Sequence, residues 1–377
     1  MSMRPTVLEV SKGALEHNYR AIAAEAARGS KGKARVICVV KADGYGTGIV
    51  QAARWFREFG VDFFGVATPD EALTLRQNGF GDPVLVLGTS PANAAEFYVK
   101  EGVRSTITDL GFAKALSEAA AKLGKTAKVH IKMDSGMGRI GFLCEDAPSV
   151  AEKVAALPGL EIEGLFTHFS RSDEASQDWT HEQFRRFSAA VAEIRAKGIA
   201  VKMTHCCNSG ALMAGLRDYY CDYVRPGHIL YGLTPSRECG DAVDIRPVVT
   251  FKTRVGVARD LPEGWGVSYG QTYHAGANER IAVLPVGYAD GFPRAFSNKG
   301  EVLIHGQRCP ILGRVCMDQC VAGVGHLEGV ETGDEVVLVG RQGDQEISVL
   351  DYAERAGTIT GALATTLTPR VPRVYVD

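Results

Sequence analysis

The first two thirds of the chain repeat one unit eight times, and no other feature restricts the fold so tightly. Apolar, β-branched runs occur at residues 36–42, 63–68, 84–88, 104–109, 128–134, 162–169, 201–209 and 220–227. Between them lie segments of helical spacing rich in Ala, Glu, Lys and Arg, such as 48–60, 70–79, 110–123 and 177–197. Strands alternating with helices pair in parallel, because each helical crossover returns the chain to the same end of the sheet. Eight such units close into a (β/α)8 TIM-type barrel. An open doubly wound sheet is the competing architecture, but no GxGxxG turn follows the first strand, and eight regular units favour closure. A helix near 12–28 leads into the barrel. After a loop-like segment, TPSRECGDA, the runs VVTFKTRVGVA, RIAVLPVGYA, EVLIHG, CPILGRVCM and DEVVLVG are separated by Gly, Pro, Asp and Asn, with little helical pattern before about 348–356. The expected fold is therefore an α/β chain: an eight-stranded parallel barrel over 1–240, followed by a C-terminal mainly-β domain over 241–377.

Charge narrows the function classes. The 42 basic and 44 acidic residues leave a formal charge of -2 with no long run of either sign, which removes the electrostatic case for nucleic acid or an anionic membrane surface. No stretch approaches the length of a membrane span, and MSMRPTVLEV carries no apolar leader. The nine cysteines lack paired CxxC spacing, so no metal site is expected and a reducing, cytoplasmic compartment is.

Active sites of such barrels sit at the C-terminal ends of the strands, and polar residues accumulate there. The first strand ends in Lys41, with the glycine-flanked Tyr45 four residues on; the fifth runs into Lys132, Asp134 and Arg139; the sixth ends in His168; the seventh in His205, Asn208 and Ser209; the eighth in Arg225, Gly227 and His228. Desolvation lowers the pKa of a strand-end lysine from about 10.4, and a neutral amine is a nucleophile toward an aldehyde. An ordinary solvated lysine is the plainer reading. Ser209 with Gly210, and Gly227 with His228, suit a phosphate in the loops after strands seven and eight. Each residue has a structural use as well: His168 in the core, Asn208 and Ser209 as helix caps, Arg225 paired with Asp222, Arg139 with Asp134. Five of eight strand ends carrying such residues favours convergence, and an amine facing a phosphate site points to pyridoxal phosphate.

The segments VVKADGYGTG, MDSGMGRIGF, THFSRSDE, HCCNSG, VRPGHILYGL, SYGQTY, LPVGYADGFPR, GRVCMDQ and PRVPRVY, in that order, resemble the alanine racemase family over nearly the whole chain. The resemblance implies pyridoxal 5'-phosphate, a homodimer with shared active sites, and interconversion of L- and D-alanine for cell-wall peptidoglycan. It makes Lys41 and Tyr269 the two catalytic bases, Tyr269 being delivered to the partner subunit's barrel; taken alone, Tyr269 reads as a surface turn residue. It assigns Tyr45, His168, Asn208, Ser209, Arg225, Gly227 and His228 to the cofactor, with Arg225 at the pyridine nitrogen. Arg139, Met317 and Asp318 go to the substrate carboxylate, Lys132 is a lysine that family members often carbamylate, and Tyr288, Asp290, Arg294 and Ile359 line the entrance.

One departure stands out. Gly361, in GTITGALATTLTPRVPR, occupies the place where the family usually has a tyrosine that helps hold the cofactor phosphate. A roomier site, a broader amino-acid range including serine, or weaker cofactor retention would follow. Two other classes compete: a barrel-type amino-acid decarboxylase, which Arg225 disfavours although Cys316 and Cys320 keep it open, and a non-catalytic cofactor carrier, which would lack residues 241–377.

Overall fold

The computed structural model describes residues 3–377 and divides them into two compact units. One comprises Glu16–Leu230 with Pro235–Ile245; the other comprises the described residues up to Leu15, Tyr231–Thr234 and Arg246–Asp377.

The first unit is the expected barrel. Its first strand is broken at Ile37 into Arg35–Val36 and Cys38–Val39, and is followed by Phe64–Val66, Val84–Val86, Ser105–Ile107, Ala127–Asp134, Leu160–Phe166, Met203–His205 and Tyr223–Val224. Every ladder is parallel. An isolated bridge from Leu85 to Arg104 links the third strand to the fourth, and Asp222 N–H donates to the Thr204 carbonyl at 3.1 Å between the seventh and eighth. Pairing of Tyr223 with Arg35 and of Val224 with Val36 closes the ring, leaving no free edge. Helices Ile49–Glu58, Pro69–Gln77, Leu110–Leu123 and Asp178–Ala196 occupy the segments with helical spacing. Inside the ring, Ile37, Phe63, Leu85 and Tyr223 form an apolar layer.

The second unit is built on a ten-stranded sheet. Its pairs are antiparallel except one, in which Val7–Ser11 lies parallel to Arg373–Val376. Val7–Ser11 also pairs with Val249–Arg254, and its alternating sequence buries Leu8 and Val10. The sequence reading counted 1–240 as barrel; the strand Val7–Ser11 groups with the second unit. A five-residue strand takes its backbone partners from about 240 and 365 residues downstream, and no local pattern announces such pairing. No helix among the described residues is long and apolar enough to cross a membrane.

Candidate active site

Lys41 begins a short turn, Lys41–Tyr45, directly after the first barrel strand. Ala42, Asp43, Gly44 and Tyr45 follow with φ of 53°, 54°, 62° and 53°, a left-handed run that costs roughly 1–2 kcal/mol for each L-residue. The turn is held by Gly44 N–H to the Val40 carbonyl (2.9 Å), Gly46 N–H to that of Ala42 (2.8 Å) and Gly48 N–H to that of Asp43 (2.8 Å). Asp43 Oδ1 accepts Ile49 N–H at 2.8 Å, tying the turn to the next helix. Burial, and then the Arg139 cation, lower the Lys41 pKa, while Glu71 opposes them. The amine is thus easier to deprotonate than a solvated lysine.

Tyr45 is buried and lies edge-on to His228, ring centroids 5.3 Å apart. A Cβ at Gly227 would sit 2.2 Å from the Tyr45 hydroxyl oxygen, so only glycine allows this approach. Gly227 N–H donates to Ser209 Oγ at 3.0 Å. Tyr45, Ser209, Gly227 and His228 therefore form one cradle. Asn208 stands beside it in a different capacity: its Oδ1 caps the helix Ser209–Met213 through Ala211 N–H (3.0 Å) and accepts from Ser172 (2.7 Å), and its Nδ2 donates to the Phe169 carbonyl.

Arg225 is 4% exposed. Its Nη2 donates to the Thr167 carbonyl at 2.8 Å and to His168 Nδ1 at 3.2 Å, and its Nη1 to His205 Nδ1 at 2.8 Å. His205 Nε2 lies 2.8 Å from His130 Nδ1, and His130 Nε2 lies 3.2 Å from Glu163 Oε2. Since a guanidinium only donates and a carboxylate only accepts, one proton arrangement satisfies the chain: Arg225 to His205, His205 to His130, His130 to Glu163. Both histidines are then neutral, as burial first of all dictates. Burial raises the Glu163 pKa, but hydrogen bonds from His130, Arg104 and Lys128 outweigh it and hold the carboxyl well below its usual range. Burial brings Arg225 down to about 10, leaving it charged at neutral pH. Asp222 is not its partner; that carboxylate accepts from Thr204 N–H and hydroxyl.

Lys132 is 2% exposed and donates to the Met133 carbonyl at 2.6 Å. Burial, then Arg225, push its pKa down to about 8. Asp134 accepts the backbone N–H groups of Gly136, Met137, Gly138 and Arg139 at 2.8–3.2 Å, so it shapes the loop that carries the exposed Arg139 guanidinium. His168 is kept neutral by burial first and then by Arg225, Arg139, Lys132 and Lys41. The barrel thus brings Lys41, Lys132, Arg139 and Arg225 around one histidine, a cationic mouth suited to a ligand bearing phosphate and carboxylate.

The remaining predicted residues lie in the β unit. Tyr269 is 72% exposed on a turn in which Ser268, Gly270 and Gln271 have φ of 63°, 71° and 48°. Ser268 Oγ donates to the Arg314 carbonyl at 2.5 Å, and Tyr288 and Ala289 N–H donate to the Cys316 and Met317 carbonyls. These bonds draw together Tyr269, the exposed Met317 and the exposed Tyr288. Asp318 is bound by Arg370 at 2.7 Å, and Arg370 and Arg4 reach the buried Asp290 at 3.3 and 2.6 Å. Asp290 is therefore a structural anchor, accepting Gly287 N–H as well. Arg294 opens a short helical turn and Ile359 is exposed. His205, His130 and Glu163 escaped the sequence reading as a unit; their only signal was polar residues inside otherwise apolar strands.

Two family models match nearly the whole chain. The alanine racemase N-terminal domain matches residues 10–235 and the C-terminal domain residues 248–375.

The chain belongs to the alanine racemase family.

The alanine racemase of Desulfovibrio desulfuricans is 43% identical over 99% of this chain and 99% of its own length, and alanine racemase 2 of Caldanaerobacter subterraneus is 42% identical over 99% and 95%. The crystal structure of alanine racemase from Streptomyces lavendulae superposes with a TM-score of 0.94 at 31% identity, covering 100% of this chain and 98% of that one. The cofactor of the alanine racemase family is pyridoxal 5'-phosphate. The residues present fit it: a depressed amine, a cradle that a Cβ at Gly227 would fill, and a buried guanidinium.

Proposed function

We propose that the chain interconverts L- and D-alanine by two-base proton transfer, with the active site shared between two copies. The observation that carries this reading is the division of labour between the units: Lys41 sits in a cationic barrel mouth, while Tyr269 stands exposed on a strained turn with no buried site around it. Tyr45, Ser209, Gly227 and His228 would hold the cofactor phosphate, and Arg225 the ring nitrogen. Pyridoxal 5'-phosphate, when bound, supplies an aldehyde that captures the substrate nitrogen and a ring that withdraws electrons from Cα.

Inversion requires a proton to leave one face of Cα and arrive at the other, so a base is needed on each side. Lys41 Nζ accepts or returns the proton on one face, made ready by its lowered pKa. Tyr269 Oη of the partner subunit does so on the other. Arg225 keeps its own protons, so at the ring nitrogen it would supply a hydrogen-bond donor and no proton. Arg139, with Met317 and Asp318 from the partner copy, would orient the substrate carboxylate. A Lys132 amine near pKa 8 among cations is reactive toward carbon dioxide, and the resulting carbamate would offset the positive charge around it. The nine unpaired cysteines support a cytoplasmic location, and the exposed Tyr269, Tyr288 and Met317 support a homodimer.

Mixing two inactive variants tests this reading. In a Lys41→Ala/Tyr269→Phe heterodimer one site keeps both native bases if the sites are shared, and activity returns on mixing. No recovery would mean that each chain uses its own tyrosine. A broader amino-acid range, serine included, is the second reading. It rests on Gly361, whose φ of -64° is open to any residue, so the backbone does not demand glycine. Gly361→Tyr should raise the preference for alanine over serine; an unchanged ratio and unchanged cofactor retention would remove it.

A further inference from the structure

Glu71 lies in the first turn of the helix Pro69–Gln77 and completes a capping box with Thr68. One carboxylate oxygen suffices for that: Oε2 accepts the N–H groups of Ala67 at 2.7 Å and Thr68 at 3.3 Å. The other oxygen, Oε1, accepts Ala42 N–H at 2.6 Å, from 29 residues earlier in the chain. Helix capping does not require this bond. Ala42 N–H belongs to the peptide immediately after Lys41 and is the entry to the left-handed turn, whose internal bonds start from Gly44 and Gly46 N–H. A charged acceptor gives the stronger kind of hydrogen bond to a backbone amide.

We propose that Glu71 is a positioning residue for Lys41: its carboxylate spans the C-terminal ends of the first two barrel strands, clamps the peptide that follows the lysine, and places an anion beside the amine. The clamp rests on the reading of Lys41 as the reactive amine. Its geometric part fixes the direction in which the Lys41 side chain leaves the backbone, where an error of about 1 Å costs on the order of 100-fold in rate. Its electrostatic part opposes burial and Arg139, which both favour the neutral amine.

The experiment uses the cofactor-loaded enzyme and the variants Glu71→Gln, Glu71→Ala and Thr68→Ala. Glu71→Ala should lower kcat about 10- to 100-fold with KM for alanine within about threefold. Glu71→Gln keeps the size but removes the anion. The acid limb of kcat/KM, and the pH dependence of the bound cofactor's visible absorbance, should therefore move to lower pH. Thr68→Ala weakens only the cap, so it should lower the melting temperature and leave kcat and the acid limb in place. Parallel losses of melting temperature in all three variants, with kcat and acid limb unmoved, would reduce Glu71 to a helix cap. Borohydride reduction followed by peptide mass analysis separates the two failures. Absence of cofactor on Lys41 in the wild type overturns the reading of Lys41. Its presence in wild type and variants alike, with unaltered kinetics, overturns the clamp alone.

Discussion

Two turns in this molecule carry the same backbone strain and opposite surroundings. The turn after Lys41 has four successive residues in the left-handed region, is stitched to strand and helix by backbone bonds, and buries Gly44 and Tyr45. The turn around Tyr269 has three left-handed residues, Ser268, Gly270 and Gln271, and leaves the tyrosine in solvent. Strain of this kind persists only where the surroundings over-determine it, and it concentrates at functional sites. The first turn is complete within its own unit. The second leaves its tyrosine mostly in solvent, as the proposed role in a partner copy requires.

The most severe way to test the contrast is Lys41→Ala, which should cost about 10⁴-fold or more in Cα proton exchange with solvent deuterium, since nucleophile and base are lost together. Tyr269→Phe should cost about 10²- to 10³-fold while the visible absorbance of the cofactor stays unchanged. Equal loss of cofactor in both variants would dissolve the distinction between a binding turn and a delivered one. Gly227→Ala forces the Tyr45 hydroxyl out of its place, and overpacking of about 1–3 kcal/mol predicts roughly 5- to 150-fold weaker cofactor retention, read by dialysis.

A smaller effect is expected at Lys132. Carbamate formation needs the neutral amine, which grows as pH rises through about 8. Removing carbon dioxide should therefore lower activity a few-fold, about the effect of a 1 kcal/mol change, and bicarbonate should restore it more fully at pH 8.5 than at pH 7. The smallest effect on activity is expected from Glu163→Gln, whose consequence is stability. The Glu163 carboxyl is held well below its usual value in the folded chain, so its contribution is complete above the unfolded pKa of about 4.3 and fades as pH falls toward the folded one. The variant should lose about 3 kcal/mol at pH 7, with the gap closing below about pH 4 in denaturant titrations.

Much of the barrel was legible because parallel strands read as short apolar runs at regular intervals, and each predicted strand lies within a few residues of an observed one. The strand-end residues were legible for the same reason: once the barrel is assumed, position along a strand assigns Lys41, His168 and Arg225 to one rim. Asn208 shows the limit. Its side chain is consumed by Ala211, Ser172 and Phe169, and nothing in HCCNSG distinguishes a cap from a ligand. The relay from Arg225 to Glu163 was not legible either, since His130, Glu163 and His205 lie on three strands and meet only inside the closed ring.

By itself, the sequence determined what depends on local order: the alternation that makes the barrel, the polar residues gathered at its strand ends, and the amine at the end of the first strand. The tertiary structure alone decided what depends on residues far apart in the chain. It moved Val7–Ser11 into the β sheet, joined Glu71 to Ala42, and matched a donor-only guanidinium to an acceptor-only carboxylate through two neutral histidines. Hydrogen-bond partners are fixed by proximity in space, and proximity between distant segments exists only after the ring has closed.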